Sequence, residues 1–147
     1  MWYNLWRKGG MRMKIIVAVD DQNGMMFNHR RQSQDSVLRK RILELTEGSV
    51  LRMNAYSAKQ FRGEEERFEV SEQFLEEAKE GEYCFVENVP IQPYAEKVEE
   101  MIVCKWNRIY PSDRKLDLNP EHSMKLERTE EFPGSSHEKI TMEVWKQ

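Results

Sequence analysis

The run Ile15-Ile16-Val17-Ala18-Val19 constrains this chain most. It has no polar position and is too short for a stable helix, and four of its five residues are β-branched. Turn-forming residues, Asp20-Asp21-Gln22-Asn23-Gly24, close it immediately. A strand with no polar alternation must be covered on both faces, which suits the centre of a parallel or mixed sheet. Residues 14–19 are therefore predicted as a buried central strand. A length of 147 residues fits one domain around one core.

The rest of the chain supplies the covering elements. Leu38, Ile42 and Leu45 share one face of a helix predicted over residues 36–47, with Asp35 at its N-terminus and Gly48 as its stop. Residues 49–53 read as a strand, and Asn54 as the cap of a short helix reaching Phe61. Phe68 and Val70 mark another strand. Ser71 is expected to cap a helix ending at Gly81, with Phe74, Leu75 and Ala78 as its apolar stripe and Val70 and Leu75 as a hydrophobic staple. Residues 83–86 form a further buried strand. Pro93 opens a predicted helix carrying Ile91, Tyr94, Val98 and Met101 on one face. Strands over 102–109, 125–132 and 139–145 complete the pattern, the last two joined through Pro133-Gly134-Ser135-Ser136. Alternating helices and strands followed by a strand pair predict an α/β fold: a mixed, mainly parallel sheet with helices on both faces and an antiparallel C-terminal pair. The strands at 83–86 and 102–109 should flank the central one. Cys84 and Cys104 would then lie on opposite sides of it, as buried free thiols rather than a disulfide.

Composition narrows the function classes. A net charge of −3 gives no broad electrostatic case for nucleic acid. No apolar stretch is long enough to cross a bilayer, and the first ten residues lack the apolar core of a signal peptide, so a cytoplasmic location is expected. Residues 1–12 read as a frayed extension before a domain spanning 13–147. The alternative is a short interfacial anchor built on Trp2, Leu5 and Trp6 with Arg7 and Lys8. The histidines His29, His122 and His137 are too scattered for a metal-ligand motif, so no metal is expected. There is no Walker loop, Cys-x-x-Cys pair or Gly-x-Ser-x-Gly elbow. Composition leaves the oligomeric state open.

The ordered set of segments resembles dihydrofolate reductase from Met13 to the C-terminus. Lys14–Asp20 with Asn23-Gly24-Met25 looks like that family's first strand and mobile loop. Asp35-Ser36-Val37-Leu38 looks like the helix bearing the substrate-binding acid. Val50-Leu51-Arg52-Met53-Asn54-Ala55-Tyr56-Ser57 is similar to the segment usually written Met-Gly-Arg-x-Thr. Glu82-Tyr83-Cys84-Phe85-Val86-Glu87-Asn88 and the ending Thr141-Met142-Glu143-Val144-Trp145 resemble its C-terminal half. The resemblance implies Asp35 as the substrate acid and a cofactor site around residues 54–55 and 87–88. There the chain departs from the pattern. Glu87-Asn88 stands where the family's Gly-Gly lets the backbone approach a pyrophosphate. An uncompensated carboxylate there, near 4 Å from a phosphate at an effective dielectric near 20, costs on the order of 4 kcal/mol. Asn54-Ala55 replaces the Gly-Arg whose arginine contacts the cofactor's extra phosphate, while Ser57 keeps a hydroxyl. Asn28-His29-Arg30-Arg31-Gln32 holds no counterpart of the loop tryptophan, and Cys104 stands where a threonine supports the acid. No cofactor is therefore expected, with NADPH as the alternative.

The chemistry-bearing residues keep two readings each. Asp35 either caps its helix or holds a ligand through paired hydrogen bonds. Arg30, Arg31 and Arg39 form either an anion site or a solvated basic surface. His137 is either a surface histidine or a general acid or base meeting the 28–31 loop. The favoured function is a small polar or anionic ligand held in a cleft bounded by Asn28, Arg30, Arg31, Asp35, Arg39, Ser57 and Glu87, without standard NADPH-dependent reduction. A divergent folate- or pterin-type reductase and a non-catalytic partner-binding protein are the alternatives.

Overall fold

A computed structural model describes residues 11–147. The expectations for residues 1–10 lie outside the described residues. At the centre is β1 (Met13–Val19), hydrogen-bonded in parallel to β6 (Tyr83–Phe85) on one side and β7 (Val98–Lys105) on the other. Beyond β6 lie β4 (Leu51–Met53) and β5 (Glu69–Val70), both parallel. Beyond β7 lie β10 (Ile140–Lys146) and β9 (Lys125–Phe132), each antiparallel to its neighbour. The seven-stranded order is β5-β4-β6-β1-β7-β10-β9. A small second sheet joins β2 (Gly24–Phe27) to β3 (Arg30–Arg31) and β8 (Arg114–Lys115). The α/β architecture expected from the sequence is the one observed.

Because side chains alternate along a strand, β1 feeds two separate cores. Met13, Ile15, Val17 and Val19 pack on one face with Cys84, Val86 and Phe74 and Leu75 of α3 (Phe74–Glu77). Ile16 packs on the other with Phe85, Cys104 and the Leu38, Ile42 and Leu43 face of α1 (Ser36–Leu45). Burying each such aliphatic side chain stabilises the fold by about 1.5–3 kcal/mol. Cys84 pairs in register with Ile15 and Cys104 with Ala18, so they occupy strands on opposite sides of β1. Two strand spacings, roughly 9–10 Å, exceed disulfide reach, and both thiols are free and buried.

Several local expectations are corrected. The helix after Ser71 is a single turn. Lys97 Nζ donates to the carbonyls of Leu75 (3.0 Å) and Glu76 (3.4 Å), and Ala78 turns extended, so the helix stops there. Ser71 accepts from Gln73 N (3.1 Å) in a turn rather than at a helix cap, and Val70 is 50% exposed on β5 and staples nothing. The helix expected after Pro93 is a 3₁₀ segment, Gln92–Lys97. Val98 and Met101 belong instead to β7, where β1 and β10 satisfy the backbone on both sides. β7 ends at Lys105 because Asn107 turns left-handed (φ 62°), which leaves Ile109 outside the sheet and exposed. No helix among the described residues is long and apolar enough to cross a membrane.

Candidate functional site

The segment after β7, the segment before α1 and the connection between β9 and β10 converge on one buried polar centre. Asp35 precedes α1 in an extended conformation (φ −156°, ψ 128°), and its Oδ1 accepts from Val37 N (2.9 Å) and Leu38 N (3.2 Å). This is the helix cap read from the sequence. The same carboxylate reaches the β9–β10 connection. It accepts from Ser135 N (3.0 Å), Ser136 N (2.8 Å), Ser136 Oγ (3.2 Å) and His137 Nδ1 (2.9 Å). The Asp35 and His137 side chains are 0% and 2% exposed. Gly134 permits the approach: a Cβ there would collide with Asp35 Oδ2 and lie 2.9 Å from Ile140 Cδ1.

Burial alone would raise the Asp35 pKa. The hydrogen bonds from His137, Ser135, Ser136 and Leu38 outweigh it and hold the carboxyl well below the usual carboxylate range. An ionised carboxylate only accepts, so the proton of this bond sits on His137 Nδ1. The second ring nitrogen, Nε2, lies 2.9 Å from Ser33 Oγ and 3.2 Å from Tyr110 Oη. Trp106 stacks on the imidazole, with centroids 4.4 Å apart and planes 22° apart, and fixes its orientation.

A second centre lies between β3 and the residue after Val86. Arg31 holds Glu87 in a two-pronged contact, Nε to Oε2 at 2.9 Å and Nη2 to Oε1 at 3.1 Å. Ser57 Oγ (2.8 Å) and Gln60 Nε2 (3.1 Å) also donate to this carboxylate, which belongs to a residue only 8% exposed. The Arg31 guanidinium lies over the Tyr56 ring, 4.5 Å from its centroid. The Glu87 charge is therefore compensated, and the unscreened repulsion worked from the sequence is an upper bound. Asn54 caps α2 (Ala55–Ala58), accepting from Ser57 N (3.0 Å), and donates to Asn88 Oδ1 (2.9 Å). Ala55 N donates to Glu72 (2.9 Å).

Asp20 forms the third centre. Its carboxylate accepts from Gly24 N (2.7 Å), Gln22 N (2.8 Å), Gln32 Nε2 (3.0 Å) and Tyr110 N (3.1 Å). Burial opposes ionisation here too, but the bonds from Gly24, Gln22, Tyr110 and Gln32 leave its pKa lowered. Tyr110 thus joins the first and third centres, through its amide to Asp20 and its hydroxyl to His137.

The sequence-derived set divides in space. Asp35 and His137 meet directly, but His137 faces Ser33 and Tyr110 rather than residues 28–31. Arg31, Ser57 and Glu87 form the second network. Asn28, Arg30 and Arg31 line a recess of about 270 Å³ with Phe27, Gln32, Tyr110 and Pro111. Arg39 lies elsewhere, bonded to Gln34 (3.2 Å), in a groove of about 510 Å³ between α1 and residues 60–67. The support of Asp35 comes from residues 135–137 rather than from Cys104, whose thiol burial pushes up to about 12. Sequence reasoning missed Asp20, Ser33, Tyr110, Trp106, Tyr56 and Gln60. Gly134-Ser135-Ser136-His137 carried a signal for part of this centre, since a glycine and hydroxyls beside a histidine suit a tight anion-holding turn.

The fold has a clear structural relative. Dihydrofolate reductase from Enterococcus faecalis, solved in complex with NADP(H) and RAB-propyl, matches with a TM-score of 0.64. The match covers 92% of this chain and 95% of that one at 10% sequence identity. The chain has a dihydrofolate-reductase-like fold. No family model matches the sequence, and no curated protein matches it.

Proposed function

We propose that this chain uses a dihydrofolate-reductase-like fold to bind a small polar or anionic molecule, without standard NADPH-dependent reduction. The observation that carries the reading is the Arg31–Glu87 contact, at 2.9 Å, in which Glu87 occupies the first position where the resemblance implies a glycine pair. Two side chains and their partners Ser57 and Gln60 fill space that a bare backbone would leave for a phosphate. The adjacent recess keeps the exposed guanidinium of Arg30 and the polar side chain of Asn28, which suit a ligand bearing a carboxylate or phosphate. The same fold in a protein solved with NADP(H) supports the rival reading, a divergent reductase.

Titration with NADPH, followed by tryptophan fluorescence, separates the two. Saturation at low micromolar NADPH overturns the proposal. A thermal-shift screen of nucleotides, folates, pterins and sugar phosphates should find a stabilising ligand whose effect is lost in Arg30→Ala. If none shifts the wild type while a protein partner co-purifies stoichiometrically, the partner-binding reading replaces it.

A further inference from the structure

Ser33, His137 and Asp35 stand in the relation of nucleophile, base and orienting acid. Ser33 Oγ lies 2.9 Å from His137 Nε2, and His137 Nδ1 lies 2.9 Å from Asp35 Oδ2. Asp35 is buried and held by the backbone amides of residues 37, 38, 135 and 136, so it cannot rotate away from the ring. Trp106 fixes the plane of the imidazole. Ser33 itself remains partly open to solvent, whereas the base and the acid do not. Such a constellation is recognised by geometry and role rather than by chain order. Gln32, the residue before Ser33, and Tyr110 both line the recess of about 270 Å³, which gives the acyl part of a substrate a place near the hydroxyl.

We propose that Ser33, His137 and Asp35 form a serine acyl-transfer centre that hydrolyses small esters. Ser33 Oγ bonds to the ester carbonyl carbon as its proton passes to His137 Nε2. The carbon–oxygen bond to the leaving alcohol then breaks, and that oxygen takes the proton from Nε2. Water repeats the sequence on the acyl-enzyme, with His137 again accepting and returning the proton. The products are the carboxylic acid and regenerated Ser33. Asp35 keeps the proton of the neutral ring on Nδ1 and stabilises the imidazolium formed in each half. Tyr110 Oη, 3.2 Å from the same Nε2, is a hydroxyl donor beside the reacting atoms. The acyl part shares the recess that Arg30 lines, so the proposal rests on that recess being a ligand site. The reactivity of Ser33 does not require the Arg30 guanidinium, so labelling of Ser33 and loss of a ligand-induced thermal shift in Arg30→Ala can fail separately.

The test is labelling of the folded full chain with a small alkyl fluorophosphonate, mapped by peptide mass spectrometry. A base-assisted hydroxyl should react about 100-fold faster than an unassisted one. Ser33 should therefore carry the adduct ahead of Ser36, Ser135 and Ser136, and Ser33→Ala should abolish it along with hydrolysis of p-nitrophenyl acetate. The unfolded chain should lose the selectivity. Equal labelling of the four serines, or no adduct on Ser33 in the folded protein, overturns the proposal. Where His137→Gln folds, Ser33 labelling should fall to the unassisted rate, and an unchanged rate also overturns it. Where that variant does not fold, the comparison of the four serines within the wild-type chain decides the matter.

Discussion

Asp35→Asn changes one buried atom and tests the central polar cluster most directly. The carboxylate accepts on Oδ1 from Val37 N, Leu38 N and Ser135 N, and on Oδ2 from Ser136 N, Ser136 Oγ and His137 Nδ1. An amide offers one oxygen. If its NH₂ replaces Oδ2, it opposes Ser136 N–H. If it replaces Oδ1, it opposes three backbone N–H groups. Flipping the amide therefore cannot rescue the site, although His137 can change tautomer and Ser136 Oγ can rotate. A buried donor left unsatisfied costs about 1–3 kcal/mol, and losing a charge-assisted bond costs about 1.5–3 kcal/mol. The expected destabilisation is about 3–5 kcal/mol, on the scale of breaking a buried ion pair. Urea denaturation monitored by tryptophan fluorescence and circular dichroism measures it. The pH dependence gives an independent check. The folded pKa of Asp35 is depressed, so the unfolded chain binds the extra proton. The contribution is fully present above the unfolded value near 3.9 and is lost as pH falls below it. Wild type should lose stability over that acid range more steeply than Asp35→Asn. A destabilisation under about 1 kcal/mol, within the usual range for surface substitutions and weak caps, refutes the reasoning.

Arg31→Ala leaves the Glu87 carboxylate with only Ser57 and Gln60 and should cost about 2–4 kcal/mol in urea unfolding; adding Glu87→Gln should recover at least about 1 kcal/mol, and strict additivity of the two changes would contradict a coupled pair. Burial pushes the Cys84 and Cys104 thiols up to about 12, so both should resist a thiol-reactive probe such as Ellman's reagent at pH 8 in the folded protein and react in urea; rapid labelling of either in the native state would contradict the observed packing.

Some elements were legible because one local signal decided them. Ile15–Val19 had no polar position, so it had to be central, and the strands expected over 83–86 and 102–109 are its neighbours, the second of them beginning earlier, at Val98, and ending at Lys105. The Asp35 and Asn54 caps follow from short side chains that satisfy nearby helix amides. The segment around Val98 misled because an apolar residue spaced for a helix is also spaced for a strand when flanking strands offer backbone partners. Met101 satisfies either pattern, and only pairing with Ile15 on one side and Trp145 on the other selects the strand.

The candidate site divides along the same line. Local chemistry in the sequence determined that Asp35 begins a helix, that residues 20–24 turn, and that Gly134 lies in a tight connection. Which partners those residues meet depended on separations of about a hundred positions, as between Asp35 and His137. Strand order brings the β9–β10 connection over the N-terminus of α1, and no periodicity encodes that approach. Burial then chooses among the possible partners. Removed from water, a carboxylate keeps its charge only where enough donors converge, so Asp35 collects His137 and two serine amides while Glu87 collects Arg31, Ser57 and Gln60. The sequence supplied the charged groups and the local caps; the tertiary structure decided their pairing, because the cost of an unpaired buried charge is felt only after the chain has closed around it.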